Sequence, residues 1–225
     1  MENHMKSSDT SRCFITGCDS NTEWMLRWFA KNYAKHNDTE IGFVDFGVTE
    51  EMRAWVYQES PFNFIVDVPR QRVNGWFLKP KALMKTPREE VCWVDTDIHV
   101  LGDISGIFNY LEEGKLAMVE DKPWSKRRGE TWHNSGIVGI KGKPPILSDW
   151  VNACYESPKV GDQEVLHEML MESPLKRISN IVDLPNIYNW LRIQLLDGND
   201  NPNKLCMHWT GQKGKLEIRK LIYNG

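Results

Sequence analysis

Two acidic residues, Asp95 and Asp97, follow a short apolar run at residues 90–94. The run is rich in residues that favour β-structure and is too short for a helical face, which predicts a buried strand. Ligands of open α/β sheets bind in the crevice beyond the carboxyl ends of the strands. Alternate residues of an extended segment face the same way, so both carboxylates are able to bind one cation. A solvated turn is the alternative, since a chain of this composition contains about one Asp-x-Asp by chance.

Three later segments carry polar residues where predicted elements begin or end: Asn134-Ser135-Gly136, Gly161-Asp162-Gln163 and His208-x-x-Gly211. The first precedes an apolar strand, the second begins a helix, and the third ends a short strand. Each has a simpler alternative explanation. Asn134 is explained as well by a turn before a strand, Asp162 by a helix cap, and His208 by a structural histidine.

The bulk composition limits the function classes. With 225 residues and 40% hydrophobic content, the chain is long enough for one α/β domain, and we expect a disordered tail at residues 1–11 and a single domain at 12–225. The net charge of −3, with acids and bases interspersed, indicates no nucleic-acid partner. Because no apolar run has membrane length and the N-terminal residues are polar, we expect a soluble protein without signal peptide or membrane segment. Five cysteines without a disulfide pattern indicate a reduced, cytoplasmic location.

The first half of the chain alternates strands with helices. Strands are predicted at residues 12–17, 41–46 and 62–68. A capping box formed by Ser20 and Glu23 predicts a helix that runs to about residue 36. Thr49 caps a second helix, and a third covers residues 74–85. This alternation indicates an α/β fold with a mostly parallel sheet and right-handed crossovers.

The second half continues with shorter elements. In order, these are a helix at 105–113, strands at 115–120 and 137–140, helices at 144–155 and 162–172, a strand at 178–182, a helix at 186–196 and a strand ending at His208. Asp121 places another acid at the end of a strand. Residues 123–131 contain Trp124, Arg127 and Arg128 in a polar connection, which we expect to be a mobile substrate loop.

The order of these motifs resembles that of the GT-A glycosyltransferases. A strand ending in Asp95-x-Asp97 is followed by the segments around Asn134, Asp162 and His208. Over residues 12–215 the chain is similar to the family-8 type, which includes glycogenin and bacterial galactosyltransferases. Its compact size also resembles the small GT-A domains encoded by large algal viruses. The resemblance implies the GT-A fold, a mostly parallel Rossmann-like sheet flanked by helices.

The resemblance also implies a UDP-glucose-like donor bound through a divalent cation, Mn²⁺ or else Mg²⁺. Its protein ligands fall on Asp95, Asp97 and His208. Two carboxylates and one imidazole suit Mn²⁺ better than Mg²⁺, which favours an all-oxygen shell. The other donor-binding residues implied by the resemblance are Thr16, Gly17, Asp19, Lys79, Thr96, Asn134, Ser135, Gly136, Gly211 and Lys213.

Individual roles follow from the same resemblance. Thr16, Gly17 and Asp19 are expected near the base and ribose, although a turn and a helix-start acid explain them equally. Lys79 is expected to contact the diphosphate or the sugar. The family's late segment reads His-x-x-Gly-x-x-Lys, whereas the lysine here is displaced by one residue, so that either Lys213 or Lys215 takes its place.

The hexose is expected beside the strand that follows residue 136. The amide of Asn134 suits sugar hydroxyls, and Ser135-Gly136 leaves space for the ring. Asp162 is expected to bind donor hydroxyls, with Gln163 reaching the anomeric region.

The expected reaction transfers a hexosyl unit to a hydroxyl group of a glycan or glycoconjugate, with retention of the anomeric configuration. The departing phosphate then helps to deprotonate the acceptor. An inverting enzyme needs a carboxylate base instead, for which Asp121 and Asp162 are the candidates. Trp124, Arg127 and Arg128 are candidates for an acceptor wall, and an exposed loop without function is the alternative.

Three other classes of protein share parts of this pattern. A sugar-1-phosphate nucleotidylyltransferase is expected to carry a Gly-rich, Arg-containing loop after the first strand, which residues 16–20 lack. An Asp-x-Asp phosphatase is expected to have Thr or Val where this chain has His99. A non-catalytic module that binds nucleotide sugars or glycans stays open, because binding and turnover share most residues.

Overall fold

The computed structural model describes residues 11–68, 75–156, 159 and 161–224. Residues 1–10 of the predicted tail lie outside this range, as does Asn74 at the start of the predicted third helix. Ser11, by contrast, accepts hydrogen bonds from the backbone N–H groups of Glu89 and Glu90, both at 3.0 Å. The last residue of the predicted tail is therefore attached to the edge of the fold.

The strands of the described residues form two sheets. They are β1 (Arg12–Cys18), β2 (Ile41–Asp45), β3 (Phe64–Val66), β4 (Glu90–Val94), β5 (Ile98–Val100), β6 (Leu116–Glu120), β7 (His133–Lys141), β8 (Ile181–Asp183), β9 (Trp190–Leu191) and β10 (Cys206–His208). The main sheet has seven strands in the spatial order β3-β2-β1-β4-β7-β6-β8, and the small sheet has the order β5-β10-β9. The fold is thus a mixed α/β architecture.

Strand direction in the main sheet decides which residues meet at its edge. The strands β1 to β4 are mutually parallel, as is the pair β6–β8, which confirms the parallel pairing predicted for the first three strands. The strand β7 runs antiparallel to both β4 and β6. Its first residues therefore lie beside the last residues of its neighbours: Asn134 pairs with Val119, and the carbonyl of Gly136 accepts from the N–H of Asp95 at 2.9 Å.

The helices are α1 (Leu26–His36), α2 (Glu50–Gln58), α3 (Lys79–Lys85), α4 (Lys122–Arg128), α5 (Pro145–Glu156), α6 (Asp162–Leu170), α7 (Pro174–Asn180), α8 (Arg192–Leu196) and α9 (Gly211–Asn224). Short 3₁₀ segments precede α1 at Glu23–Met25 and α3 at Gly75–Leu78. Every helix of the described residues is too short or too polar to span a lipid bilayer.

The two predicted helix starts had different outcomes. Thr49 caps α2 as predicted, because its hydroxyl accepts from the N–H of Met52 at 3.3 Å. The predicted capping box of Ser20 and Glu23 is wrong. The Glu23 carboxylate instead accepts from the N–H and the hydroxyl of Thr49, at 2.7 and 2.8 Å, so it links the starts of two helices.

Four predictions for the second half are corrected. The expected loop at 123–131 contains α4, because Asp121 caps its first turn, Pro123 suits that turn, and Gly129 ends it at a φ of 74°. Residues 105–113 form a 3₁₀ segment at Ser105–Tyr110, and the predicted strand at 178–182 lies mostly in α7. The predicted helix at 186–196 is divided into a 3₁₀ turn, β9 and α8. The long helix α9 was not predicted.

The main sheet is buried on both faces. Alternate residues of a strand point to opposite faces, and along β4 the residues Val91 and Trp93 belong to one hydrophobic cluster, whereas Cys92 and Val94 belong to the other. The first cluster packs the sheet against α3, α5 and α6, and the second packs it against α1 and the small sheet. This packing on both faces holds β4, β6 and β7 in position. The polar residues of the site lie where β4 and β6 end and where β7 begins.

Candidate functional site

Asp95, Asp97 and His208 converge at the end of β4. The pairing of β5 with β10 places His208 opposite Ile98, and the N–H of Trp209 donates to the carbonyl of Asp97 at 3.0 Å. One side-chain atom from each of the three residues lies within 4.8 Å of the others. The structure thus brings together the three predicted ligands, although His208 is more than a hundred positions from the aspartates.

His208 and Asp97 form a close pair within this cluster. Nε2 of His208 lies 3.1 Å from Oδ1 of Asp97. Burial opposes protonation of His208, but Asp97 outweighs it and raises the pKa of the ring. Burial likewise opposes ionisation of Asp97, but His208, with smaller contributions from Lys215 and Lys79, lowers the pKa of that carboxyl. Cations that bind six ligands at about 2.1 Å hold neighbouring ligand atoms about 3 Å apart. The donor set and its spacing therefore fit a divalent metal ion.

Lys79 supplies a buried positive charge beside the same aspartates. Its side chain is only 2% exposed, and its ammonium lies 3.1 Å from Asp95 and 3.3 Å from Asp162. The ammonium also donates to the carbonyl of Ser135 at 2.7 Å. Burial disfavours the charged amine, but Asp162 and Asp95 outweigh it and raise the pKa of Lys79. Lys79 therefore holds two carboxylates in place.

Asp162 is the first residue of α6, and Gly161 occupies the capping position. The alternative that Asp162 serves only as a helix cap is therefore wrong. Burial raises the pKa of its carboxyl, and Lys79 opposes that shift. Oδ2 of Asp162 is buried and lies within ion-pair distance of the ammonium of Lys79.

Four polar side chains form a continuous network next to the metal cluster. The amide nitrogen of Asn134 donates to Gln163 at 3.0 Å and to Asp121 at 3.3 Å, and the amide nitrogen of Gln163 donates to the same oxygen of Asp121 at 3.3 Å. Asn189 donates to Oδ1 of Asn134 at 2.9 Å. Sequence patterns missed Asn189, since it lies 55 positions from Asn134 and no spacing rule connects them.

Two cavities meet at Asp95 and Asp97, which line both. The first cavity has a volume of about 120 Å³, and its other lining residues include Gly17, Asp19, Phe46, Trp76, Thr96 and Lys215. The second cavity has a volume of about 300 Å³, and its other lining residues include Asp121, Trp124, Asn134, Asp162, Gln163 and Gly211. Most of the predicted site residues therefore line one or both of two neighbouring cavities.

The structure distinguishes the residues predicted to bind the base, the ribose and the diphosphate. Thr16 is fully buried in β1 and, among the described residues, lines neither cavity. Asp19 lines the first cavity and also caps the turn before α1, with its carboxylate 3.1 Å from the N–H of Thr22. Lys213 is exposed outside both cavities, whereas Lys215 lines the first.

Ser135 and Gly136 both line the second cavity. A side chain at Gly136 would collide with the ring of His208. Glycine at position 136 therefore allows His208 to approach the aspartates. It also leaves space for a ligand.

The wall of the second cavity includes α4. Trp124 lines the cavity, and the guanidinium groups of Arg127 and Arg128 lie 5.9 and 5.0 Å from the centre of its ring. The indole ring of Trp124 also meets that of Trp132 edge to face at 6.1 Å. The segment expected to be a loop is thus a capped helix whose tryptophan is held by aromatic and cationic neighbours.

The sequence matches no protein-family model, and it matches no curated protein sequence. Solved structures with the same architecture are found. The glycosyltransferase GlyE of Streptococcus pneumoniae aligns with 89% of this chain at a TM-score of 0.65 and 18% identity. The galactosyltransferase LgtC, solved with donor and acceptor sugar analogues, aligns with 94% of this chain and 94% of its own length at a TM-score of 0.64 and 14% identity. Mouse xyloside xylosyltransferase 1 aligns with 89% of this chain and 97% of its own length at a TM-score of 0.57 and 11% identity.

The chain has the GT-A fold. This confirms the predicted fold class. The chain spans about half of GlyE, 55% of its length, but nearly all of LgtC. At identities this low the likeness establishes architecture, and function must be argued from the site.

Proposed function

We propose that this chain is a metal-dependent glycosyltransferase that moves a hexosyl unit from a UDP-sugar to a hydroxyl group of a glycan or glycoconjugate. The observation that carries the proposal is the convergence of Asp95, Asp97 and His208 on the wall shared by two cavities. The GT-A fold supports it, as does the LgtC structure with donor and acceptor sugar analogues.

The three residues would hold Mn²⁺, or Mg²⁺ as the second choice, between the cavities. When bound, the cation offsets the negative charge that develops on the departing diphosphate. Lys79 keeps Asp95 and Asp162 close together, because its ammonium lies within ion-pair distance of both carboxylates. Lys215, at the rim of the first cavity, adds a positive charge on the side where the diphosphate is proposed to bind.

We assign the nucleoside to the first cavity. Phe46 and Trp76 offer aromatic surface for the base, and Asp19 offers carboxylate oxygens for ribose hydroxyls. This cavity is the smaller one, and it lies beyond the ends of β1 and β4, where ligands of open α/β sheets bind.

We assign the hexose and the acceptor to the second cavity. Asn134, Asp162 and Gln163 offer amide and carboxylate groups to sugar hydroxyls, and Trp124 offers a flat apolar face at the wall. In the proposed reaction the bond from the anomeric carbon to the diphosphate breaks, a bond from that carbon to the acceptor oxygen forms, and the acceptor proton passes to the departing phosphate.

The contacts of the two candidate bases support retention of configuration, as in the family-8 type. Asp121 accepts hydrogen bonds from the N–H of Trp124, from Asn134 and from Gln163. Asp162 is buried against Lys79. An inverting reaction needs a carboxylate that takes the proton of the acceptor hydroxyl, whereas Asp121 already accepts three hydrogen bonds and Asp162 faces the positive charge of Lys79.

The experiment is release of UDP from a panel of UDP-sugars, measured with Mn²⁺, with Mg²⁺ and with EDTA. We expect hydrolysis or transfer of at least one donor with Mn²⁺, weaker turnover with Mg²⁺, and loss of turnover with EDTA. Binding of UDP-sugars without turnover under any metal condition would contradict the proposal and support a non-catalytic binding module. Turnover that is insensitive to EDTA would contradict the metal requirement.

A further inference from the structure

Asn189 lies between the metal cluster and the polar network of the second cavity. It is fully buried, between the 3₁₀ turn Asn186–Tyr188 and β9. Its amide nitrogen donates to Oδ1 of Asn134 at 2.9 Å, and its amide oxygen lies 3.0 Å from Nδ1 of His208. Both ends of this amide are therefore occupied by residues of the proposed site.

The direction of each hydrogen bond follows from one backbone group. The N–H of Gly136, which can only donate, contacts Oδ1 of Asn134 at 3.0 Å, so this atom must be the amide oxygen. Asn189 must then present its NH₂ group to Asn134, which leaves its own oxygen facing His208. Because that oxygen can only accept, Nδ1 of His208 carries the hydrogen.

This arrangement determines which nitrogen of His208 is available for a ligand. With the hydrogen on Nδ1, the lone pair of a neutral ring is on Nε2, the atom that lies 3.1 Å from Asp97. A hydrogen-bond partner on the other ring nitrogen fixes the tautomer and orientation of metal-binding histidines. The same donor direction continues from Asn134 to Gln163 and ends at the carboxylate of Asp121.

We propose that Asn189 is the positioning residue of the metal site: it holds His208 in the tautomer that presents Nε2 to the cation, and it connects this ligand to Asn134 in the second cavity. The inference rests on the proposed metal site. It assigns two separate effects to one side chain, because the oxygen of Asn189 serves the metal ligand and its nitrogen serves the polar network.

Two substitutions separate these effects. Asn189→Leu removes both hydrogen bonds at similar volume, so we expect the dissociation constant of Mn²⁺, measured by electron paramagnetic resonance without donor, to rise about 10- to 100-fold. Asn189→Asp keeps an acceptor for His208 and loses the donor to Asn134. It should hold Mn²⁺ within about threefold of the wild type and lower kcat, with little change in the KM for the donor sugar.

Three further measurements complete the test. His208→Ala removes the proposed ligand itself and gives the reference loss of Mn²⁺ affinity. Asn37→Leu is the matched control, because Asn37 is a buried asparagine whose oxygen accepts from the N–H of Ile104 at 2.9 Å, away from both cavities. It should lower stability and leave Mn²⁺ affinity unchanged. Circular dichroism without metal checks that each variant is folded.

Each outcome decides something. Unchanged Mn²⁺ affinity in a folded Asn189→Leu variant, with a clear loss in His208→Ala, would overturn the role of Asn189 and leave the metal site intact. Unchanged affinity in His208→Ala would instead overturn the proposed metal site. If Asn189→Leu does not fold, Asn189→Asp decides, since a loss of affinity as large as that of His208→Ala contradicts the proposal.

Discussion

The two cavities differ in how their side chains are held. In the second cavity Asn134, Gln163 and Asp121 are bonded to one another, so their orientations are fixed before any ligand arrives. The first cavity is lined by rings such as Trp76, which is 43% exposed, and by the flexible side chain of Lys215. Fixed polar groups stabilise a transition state, whereas adaptable aromatic surface binds ground and transition states alike. Substitutions in the second cavity should therefore lower kcat, and those in the first should raise KM.

The largest effect is expected where the cavities join. Asp97→Asn weakens one of the three proposed metal ligands, and we expect kcat/KM for the UDP-sugar to fall about 1,000-fold, or about 4 kcal/mol. Steady-state UDP release at several Mn²⁺ concentrations measures it. Asp149→Asn, on the exposed face of α5, is the matched control and should change kcat/KM less than twofold. Equal kcat/KM values for Asp97→Asn and Asp149→Asn would contradict the proposed role of the metal ion.

Lys79 tests whether one buried charge supports both cavities. Lys79→Met leaves Asp95 and Asp162 without their shared cation, so we expect the free energy of unfolding to fall by about 3 kcal/mol without metal. Added Mn²⁺ should restore part of this loss. Urea unfolding measures both. Lys85→Met, on the exposed side of the same helix, should be nearly neutral. A Lys79→Met protein as stable as the wild type would contradict the proposed role of this lysine.

Gln163 tests the second cavity. Gln163→Ala removes a side chain that both donates to Asp121 and accepts from Asn134, so kcat should fall about 100-fold with little change in KM. Gln212→Ala, an exposed glutamine on α9, is the control. A rise in KM at unchanged kcat would show that this cavity contributes uniform binding, and the contrast between the cavities would be lost.

Trp76 tests the first cavity. Trp76→Ala removes an exposed aromatic surface, so KM for the donor should rise about fivefold with kcat within twofold of the wild type. Tyr57→Ala, an exposed aromatic on α2 outside both cavities, controls for loss of a surface ring. A fall in kcat at unchanged KM would instead place Trp76 near the reacting atoms.

The smallest effect separates the two candidate lysines of α9. Lys215 lines the first cavity and contributes to the lowered pKa of Asp97, whereas Lys213 is exposed outside both cavities. Lys215→Ala should raise KM for UDP-sugars about threefold, which is typical of a partly screened charge, and Lys213→Ala should leave it unchanged. The reverse result would mean that Lys213, and not Lys215, contacts the donor.

Local patterns predicted the parts of the site that depend on neighbouring residues. The apolar run before Asp95 forms β4, and the acid pair begins directly after its last residue, Val94. His208 was linked to this pair only by resemblance to known enzymes. Its actual position depends on the antiparallel pairing of β5 with β10, a contact between distant segments that no periodicity encodes.

The direction of β7 in the sheet, which local patterns do not reveal, explains how Asn134 reaches the site. In an all-parallel sheet Asn134, at the start of β7, would lie at the opposite edge from Asp95. It reaches the site because β7 runs antiparallel to β4. The helix α9 was missed because Gly211 and Gly214 disfavour helix in isolation. Gly214 is nonetheless required, since a side chain there would collide with the backbone of Trp209.

The most direct test of the account is a crystal of the protein soaked with Mn²⁺ and UDP, with anomalous diffraction recorded at the manganese edge. We predict a single strong anomalous peak within bonding distance of Asp95, Asp97 and His208, with the diphosphate on the ion and the uracil in the first cavity. Manganese bound elsewhere, or UDP bound without an ion between these three side chains, would contradict the central claim.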